Sequence, residues 1–354
     1  IIYVAKFTGN QVVMSNPIQP ILAKKITSKI LVCETDKDAE AALQHFAEKH
    51  DLVPIRIPNI AALPRVLSSH IDLGGIFLSE TYGSKDQSIE IARRIRRLRR
   101  ELPIFYRTEE PDSDKQERHK ITKEFAGSYT LKQMDHLKTL VDKYIFNTWY
   151  PDTFIRRIQD ISVTILENQF LNCTAEASLP YLVKDNIIYG KLMTMIPIES
   201  DWCRGFMGLE AEKSEIREAI QAGNTYINPI NFDDDFRIIS SHISEVTNLI
   251  WGGLKNEFFA RPSNDMTLSQ IPIVINHNHD SSGNGSNNEG GHISFGTGMP
   301  QLCFKYIIKP SDENLCEIII FEKFIFNLKW SPDQFNEELQ AENQLMETGE
   351  IELF

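Results

Sequence analysis

Cysteine is scarce and unpatterned in this chain. Five stand in 354 residues (Cys33, Cys173, Cys203, Cys303 and Cys316), with no Cys-x-x-Cys pair. That excludes a disulfide framework and a cysteine-rich zinc site, and points to reduced thiols in a cytoplasmic protein. Long apolar runs are also missing: no stretch approaches the roughly 18 residues that a membrane-spanning helix needs. The opening IIYVAKFTGNQVVM lacks the layout of a signal peptide. Positive charge is in deficit, with 37 Lys and Arg against 49 Asp and Glu and a net charge of −12. A general nucleic-acid or anionic-membrane binder is therefore not expected. His277, His279 and His292 fall in an Asn/Gly/Ser-rich stretch, 276–298, with no further ligand at fixed spacing. A metal site is not expected there either.

What is present is enough apolar residue, 42% of the chain, to fill the cores of two domains. Residues 1–28 are broken by Pro17 and Pro20 and read as a leader without clear structure. From residue 29 to 147, short apolar runs alternate with amphipathic ones. KILVCE, DLVPIRI, DLGGIFLS, LPIFYRT and AGSYTLK read as strands, each followed by a helical pattern. This rhythm predicts an α/β unit, a flavodoxin-like doubly wound parallel sheet. Pro54 and Pro58 place the second run at a sheet edge. Six arginines between Arg93 and Arg100 invite a nucleic-acid reading. Ile91, Ile95 and Leu98 keep an apolar face in the same run, so the arginines are expected to be its solvated remainder.

Pro151 marks a break, after which DTFIRRIQDISVTILENQF predicts a long helix capped by Asp152. Two strand-like runs, NIIYGKLMTMIPI and RGFMGLEAE, and a short helix ending on Gly223 come next. A second long helix and three further strands complete residues 148–330. Two long helices with hairpin-joined strands predict an α+β unit with an antiparallel sheet. Residues 331–354 are acidic and read as a loosely held tail.

The second long helix, within 233–259, carries the most specific pattern. Phe236, Ile239, Ile243, Val246, Ile250 and Leu254 form one apolar stripe at 100° per residue. Ser241, Glu245, Asn248 and Gly252 share the opposite face. A carboxylate and a carboxamide three residues apart stand side by side on a helix, and Gly252 one turn on offers no side chain to keep another molecule away. Such a face suits contact better than solubility.

Two resemblances follow from these residues. The first unit resembles a response-regulator receiver domain, with its chemistry at the strand ends. Glu34 follows strand one, Ser79 and Glu80 close strand three, and Thr108 and Lys132 follow strands four and five. The family's phosphoacceptor aspartate is replaced by Ser79, which cannot form an acyl phosphate, and Glu34 alone is a weak Mg²⁺ ligand. The resemblance thus implies a degenerate pseudo-receiver. In the second unit, Ser241-x-x-x-Glu245-x-x-Asn248, followed by Pro272, resembles the signature of the CheC/CheX/FliY phosphatases. The CheX branch is the nearer one, because the opening helix (Asp160, Glu167, Asn168) holds no second E-x-x-N.

The second resemblance implies a phosphatase acting on a phosphorylated CheY-like response regulator in two-component or chemotaxis signalling. Asn248 and Glu245 would be catalytic, and Ser241 and Gly252 would contact the partner. It also implies a homodimer and no cofactor of the chain's own, Mg²⁺ being carried by the substrate receiver. The pseudo-receiver is expected to regulate, by covering the Glu245/Asn248 face through Thr108 and Lys132. The alternative is a non-catalytic scaffold that binds response regulators or kinases.

Overall fold

The computed structural model describes residues 26–57, 59–69, 72–83, 85–109, 124–184, 188–200, 202–228, 236–258, 271–276 and 299–335. The leader before residue 26, the expected fourth helix around 113–125 up to residue 123, the stretch 277–298 with its three histidines, and the tail after 335 lie outside the described residues.

The first unit is built on five strands: β1 (Ser28–Cys33), β2 (Leu52–Arg56), β3 (Leu73–Ser79), β4 (Ile104–Arg107) and β5 (Gly127–Tyr129). They form a parallel sheet in the order β2-β1-β3-β4-β5. This is the flavodoxin-like order, and the proline-bearing β2 is indeed an edge. All seven residues of β3 are buried, as expected for a central strand covered on both faces. Helices α1 (Lys37–Lys49), α2 (Leu63–Ser69), α3 (Lys85–Leu98) and α4 (Met134–Tyr144) connect or flank the strands. Asp36 caps α1 by accepting from the amides of Asp38 and Ala39. The arginines of α3 and of the residues just after it are not all solvated. Arg99 is buried, pairs with Glu101 at 3.0 Å and donates to the Leu67 carbonyl at 2.8 Å. Arg96 donates to the carbonyls of Glu124, Arg100 and Leu102. Leu98, placed by periodicity on the apolar face, is instead exposed. The helix ends there, and the two guanidinium groups tie its last turn to the chain that follows.

The second unit holds helix α5 (Asp152–Gln169) and strands β6 (Cys173–Ala177), β7 (Tyr181–Val183), β8 (Leu192–Glu199) and β9 (Cys203–Ala211). Helices α6 (Lys213–Gln221) and α7 (Phe236–Phe258), then β10 (Ile273–Asn276), β11 (Gln301–Pro310) and β12 (Ile318–Trp330), complete it. The sheet has seven strands in the order β10-β8-β9-β12-β11-β6, with β7 also pairing β11. All these pairings are antiparallel. Short β6 and β7 escape the sequence reading because CTAEA and YLV are too brief to show a period. Asp152 is the first helical residue rather than the cap; Pro151 holds the cap position without a side-chain bond. Phe335, at the start of the expected acidic tail, is buried against Phe154, Trp202 and Phe258. The core thus extends past residue 330.

The two units meet at β7. Thr27 bridges Tyr181, Ser28 Oγ donates to the Leu182 carbonyl at 2.7 Å, and the Lys184 amide donates to the Leu73 carbonyl. Lys29 pairs with Asp72 and lies 4.7 Å from the Tyr181 ring centroid. Gly74 is required at this contact, since a Cβ there would sit 1.9 Å from Ser28 Oγ and 3.1 Å from the Leu182 carbonyl oxygen. The junction therefore uses the N-terminal ends of β1 and β3.

Candidate functional site

Helix α7 is anchored by its apolar stripe: Ile239, Ile243, Val246, Ile250 and Leu254 are all buried. Below it, Thr247 Oγ1 meets Thr194 Oγ1 of β8 at 2.5 Å, fixing the helix's height over the sheet. His242 is buried with its ring edge-on to Phe170, and burial pulls its pKa down to about 4. Its imidazole is therefore neutral near pH 7.

Two adjacent glycines in α7 have different work. A Cβ at Gly253 would come within 2.7 Å of Ile161 Cγ2 in α5, so this residue allows the two helices to pack closely. The Arg157–Glu257 pair at 2.6 Å closes the same seam one turn on. Gly252 has nothing within 4 Å of a Cβ built on it. Among the described residues, nothing packs against this position.

The structure brings Ser241, Glu245 and Asn248 onto one exposed face, together with Gly252. Among the described residues, neither Glu245 nor Asn248 has a hydrogen-bond or ion-pair partner. Leu249, overlooked in the sequence because its neighbours looked more chemical, is 37% exposed beside Asn248. The face thus offers a free carboxylate, a free carboxamide, an apolar side chain and open backbone at Gly252. It can accept a hydrogen bond from a cation, hold a water by donation and acceptance, and admit another surface closely.

The C-terminal ends of the parallel strands hold a second cluster. Glu34, Ser79, Arg107 and Thr108 are all buried. Arg107 grips Glu34 with two bonds, Nε to Oε2 at 2.6 Å and Nη2 to Oε1 at 3.2 Å. The same Nη2 donates to Ser79 Oγ at 2.8 Å, and Thr81 joins through its hydroxyl. Burial would lower the Arg107 pKa, but the bond to Glu34 and its charge outweigh this and hold the guanidinium above its usual range. Thr108 turns away, its hydroxyl donating to the Tyr129 carbonyl at 3.5 Å. Lys132 lies on a short 3₁₀ turn (Leu131–Gln133) after β5 and is exposed, with no described bond to the cluster. Glu34 and Ser79 are thus brought together, but Thr108 and Lys132 do not join them. Arg107 was missed. Its signal was an arginine closing a buried strand opposite a glutamate closing another.

This cluster sits at the end of the sheet opposite the β7 junction, and the α7 face is exposed. The expected covering of Glu245 and Asn248 by Thr108 and Lys132 does not occur in this arrangement. Among the described residues, no group of three or more His, Cys, Asp or Glu is placed to hold a metal ion. No described helix is long and apolar enough to cross a membrane, and none of the five cysteines forms a disulfide.

No family model and no curated protein matches the chain. Solved structures do. The chemotaxis protein CheX from Vibrio vulnificus is 16% identical over 48% of this chain and 97% of its own, with a TM-score of 0.33. A chain of the CheX–CheY–BeF₃–Mg²⁺ complex from Borrelia burgdorferi is 13% identical over 48% of this chain and 96% of its own, with a TM-score of 0.30. A response regulator from Thermotoga maritima is 16% identical over 33% of this chain and 99% of its own, with a TM-score of 0.29.

Proposed function

We propose that the second unit is a phosphatase acting on the aspartyl phosphate of a CheY-like response regulator. The observation that carries this reading is the α7 face: Glu245 and Asn248 side by side, exposed and without partners among the described residues, with open backbone at Gly252.

An aspartyl phosphate hydrolyses by in-line attack of water on phosphorus. The substrate receiver would bring its own Mg²⁺ and lysine, which neutralise the phosphoryl oxygens. What remains is to place the water. A neutral carboxamide does this without repelling the phosphoryl group, because it donates and accepts at once. Asn248 takes this part. Glu245 pairs with the partner's active-site lysine by a charge-assisted bond and sets the docking angle. Ser241 and Gly252 complete the contact. The chain needs no cofactor of its own in this scheme.

A homodimer belongs to the same proposal. Among the described strands β10 is a sheet edge, with Ile273 exposed on it and Ile271 exposed just before it, and this edge would pair with a second copy. An Ile273→Lys variant that sediments exactly as the wild type would argue against that edge.

The alternative, a non-catalytic scaffold, draws on the first unit, which keeps a receiver-like sheet with Ser79 at the phosphoacceptor position. Screening the protein against purified, phosphorylated receivers of its own organism, while following phosphate release, separates the two. Accelerated release with at least one receiver supports the phosphatase. Binding with no change in phosphate lifetime for any receiver supports the scaffold.

A further inference from the structure

We infer that Arg107 is a built-in cation standing where a receiver-type fold would hold a divalent metal, and that it makes the first unit a metal-independent module locked in one state. The residues at the strand ends do not fit Mg²⁺. Both Glu34 oxygens are already engaged. Oε1 accepts from the amides of Thr35 at 2.9 Å and Asp36 at 3.0 Å as well as from Arg107, and Oε2 takes the 2.6 Å bond from Arg107 Nε. Of the other described acids nearby, Asp36 uses Oδ1 for the α1 cap, its carboxyl held below the usual range by the Ala39 and Asp38 amides, and Glu80 accepts from the Glu109 amide through Oε1. Ser79 brings no charge and receives its hydrogen bond from Arg107.

One carboxylate and one guanidinium thus neutralise each other inside a site where both are nearly inaccessible, at 2% and 4% exposure. A metal entering here would have to expel the guanidinium, leaving a buried cation without its partner. It would gain one carboxylate in return, too few for a hard cation that favours oxygen-rich shells. The lock also has a mechanical side. Glu34 follows β1, Ser79 ends β3 and Arg107 ends β4, so one guanidinium ties three neighbouring strand ends together. Held this way, the described strand ends keep their buried acid occupied and present a serine, not a carboxylate, at the end of β3. Signals through it must come by contact with another surface. This inference is independent of the phosphatase reading.

The test is thermal unfolding of the full chain with and without millimolar Mg²⁺, alone and with beryllofluoride, alongside Mn²⁺ titration. The wild type is expected to show no shift in midpoint and no Mn²⁺ bound at this site. The Ser79→Asp/Arg107→Ser double variant, which supplies a second acid and removes the internal cation, is expected to bind one Mn²⁺ and to melt higher with Mg²⁺. Two results would overturn the inference. One is a Mg²⁺-dependent rise in the wild type that Glu34→Gln abolishes. The other is a double variant with native circular dichroism that ignores both metals. Should the double variant not fold, Arg107→Lys keeps the charge with fewer donors. It should still show no metal response, and a response from it would equally overturn the inference.

Discussion

Gly252 and Gly253 are neighbours in one helix, yet substitution should move stability in opposite directions. A glycine inside a helix costs about 1 kcal/mol relative to alanine through backbone entropy. At Gly252 a methyl meets nothing within 4 Å, so Gly252→Ala recovers that whole amount and should stabilise the second unit by about 1 kcal/mol. At Gly253 the same methyl lands 2.7 Å from Ile161 Cγ2, an atom on a branched side chain packed between two helices. Overpacking of this kind costs about 1–3 kcal/mol, which outweighs the propensity gain and leaves Gly253→Ala less stable than the wild type by about 1 kcal/mol. Urea unfolding followed by circular dichroism reads both, with the midpoint rising for one variant and falling for the other at unchanged slope. Equal shifts for the two variants would show that the α5–α7 seam is not where the structure puts it. The stabilised variant also bears on function. If Gly252 is open in order to admit a partner, Gly252→Ala should gain stability and lose affinity for the receiver together.

Other expectations follow from the buried charges. Glu322 in β12 accepts from Tyr306 at 2.6 Å and Ser162 at 3.0 Å, but its Oε1 has no partner, and burial pushes its pKa up to about 7. A carboxyl raised on folding stabilises fully below its unfolded value near 4.5 and loses that contribution as pH rises through about 7. Glu322→Gln should therefore remove about 3 kcal/mol of stability loss between those pH values, measured by urea unfolding at pH 5 and pH 8. His242 acts in the opposite sense. Its pKa falls from 6.5 to about 4, so its contribution is present above 6.5 and lost as pH falls through 4, and His242→Phe should flatten that acid limb. Arg107→Ala should destabilise by about 3–5 kcal/mol by stranding Glu34, whereas replacing both partners with apolar residues of similar size should cost far less. Gly74→Ala should loosen the β7 junction, read as faster proteolysis between the units, because its methyl collides with Ser28 Oγ at 1.9 Å.

The parallel sheet was legible because its strands are continuous apolar runs separated by turn residues, and Pro54 even marked the edge. The α7 helix was legible for a similar reason, since a long 3.6-residue period survives any context. The misses have physical causes. β6 and β7 are too short to carry a period, and their strand character comes from pairing with β11. The buried roles of Arg96 and Arg99 depend on carbonyls that the fold brings to them, and a charge run alone does not show which members will be bonded. Arg107 was hidden because its partner lies 73 residues away. The different work of Gly252 and Gly253 depends on the position of Ile161, which spacing along one helix does not show. The Glu245/Asn248 pair, by contrast, could be read directly from spacing, because the helix alone sets their separation.

The central claim rests on Asn248. The most direct measurement is the lifetime of the aspartyl phosphate on a cognate receiver, with wild type and Asn248→Ala compared at saturating concentration and receiver binding measured in parallel. The account predicts that the variant binds the receiver about as well as the wild type but accelerates hydrolysis less, by on the order of 100-fold, as befits loss of water positioning. A variant that shortens the phosphate lifetime as much as the wild type would contradict it.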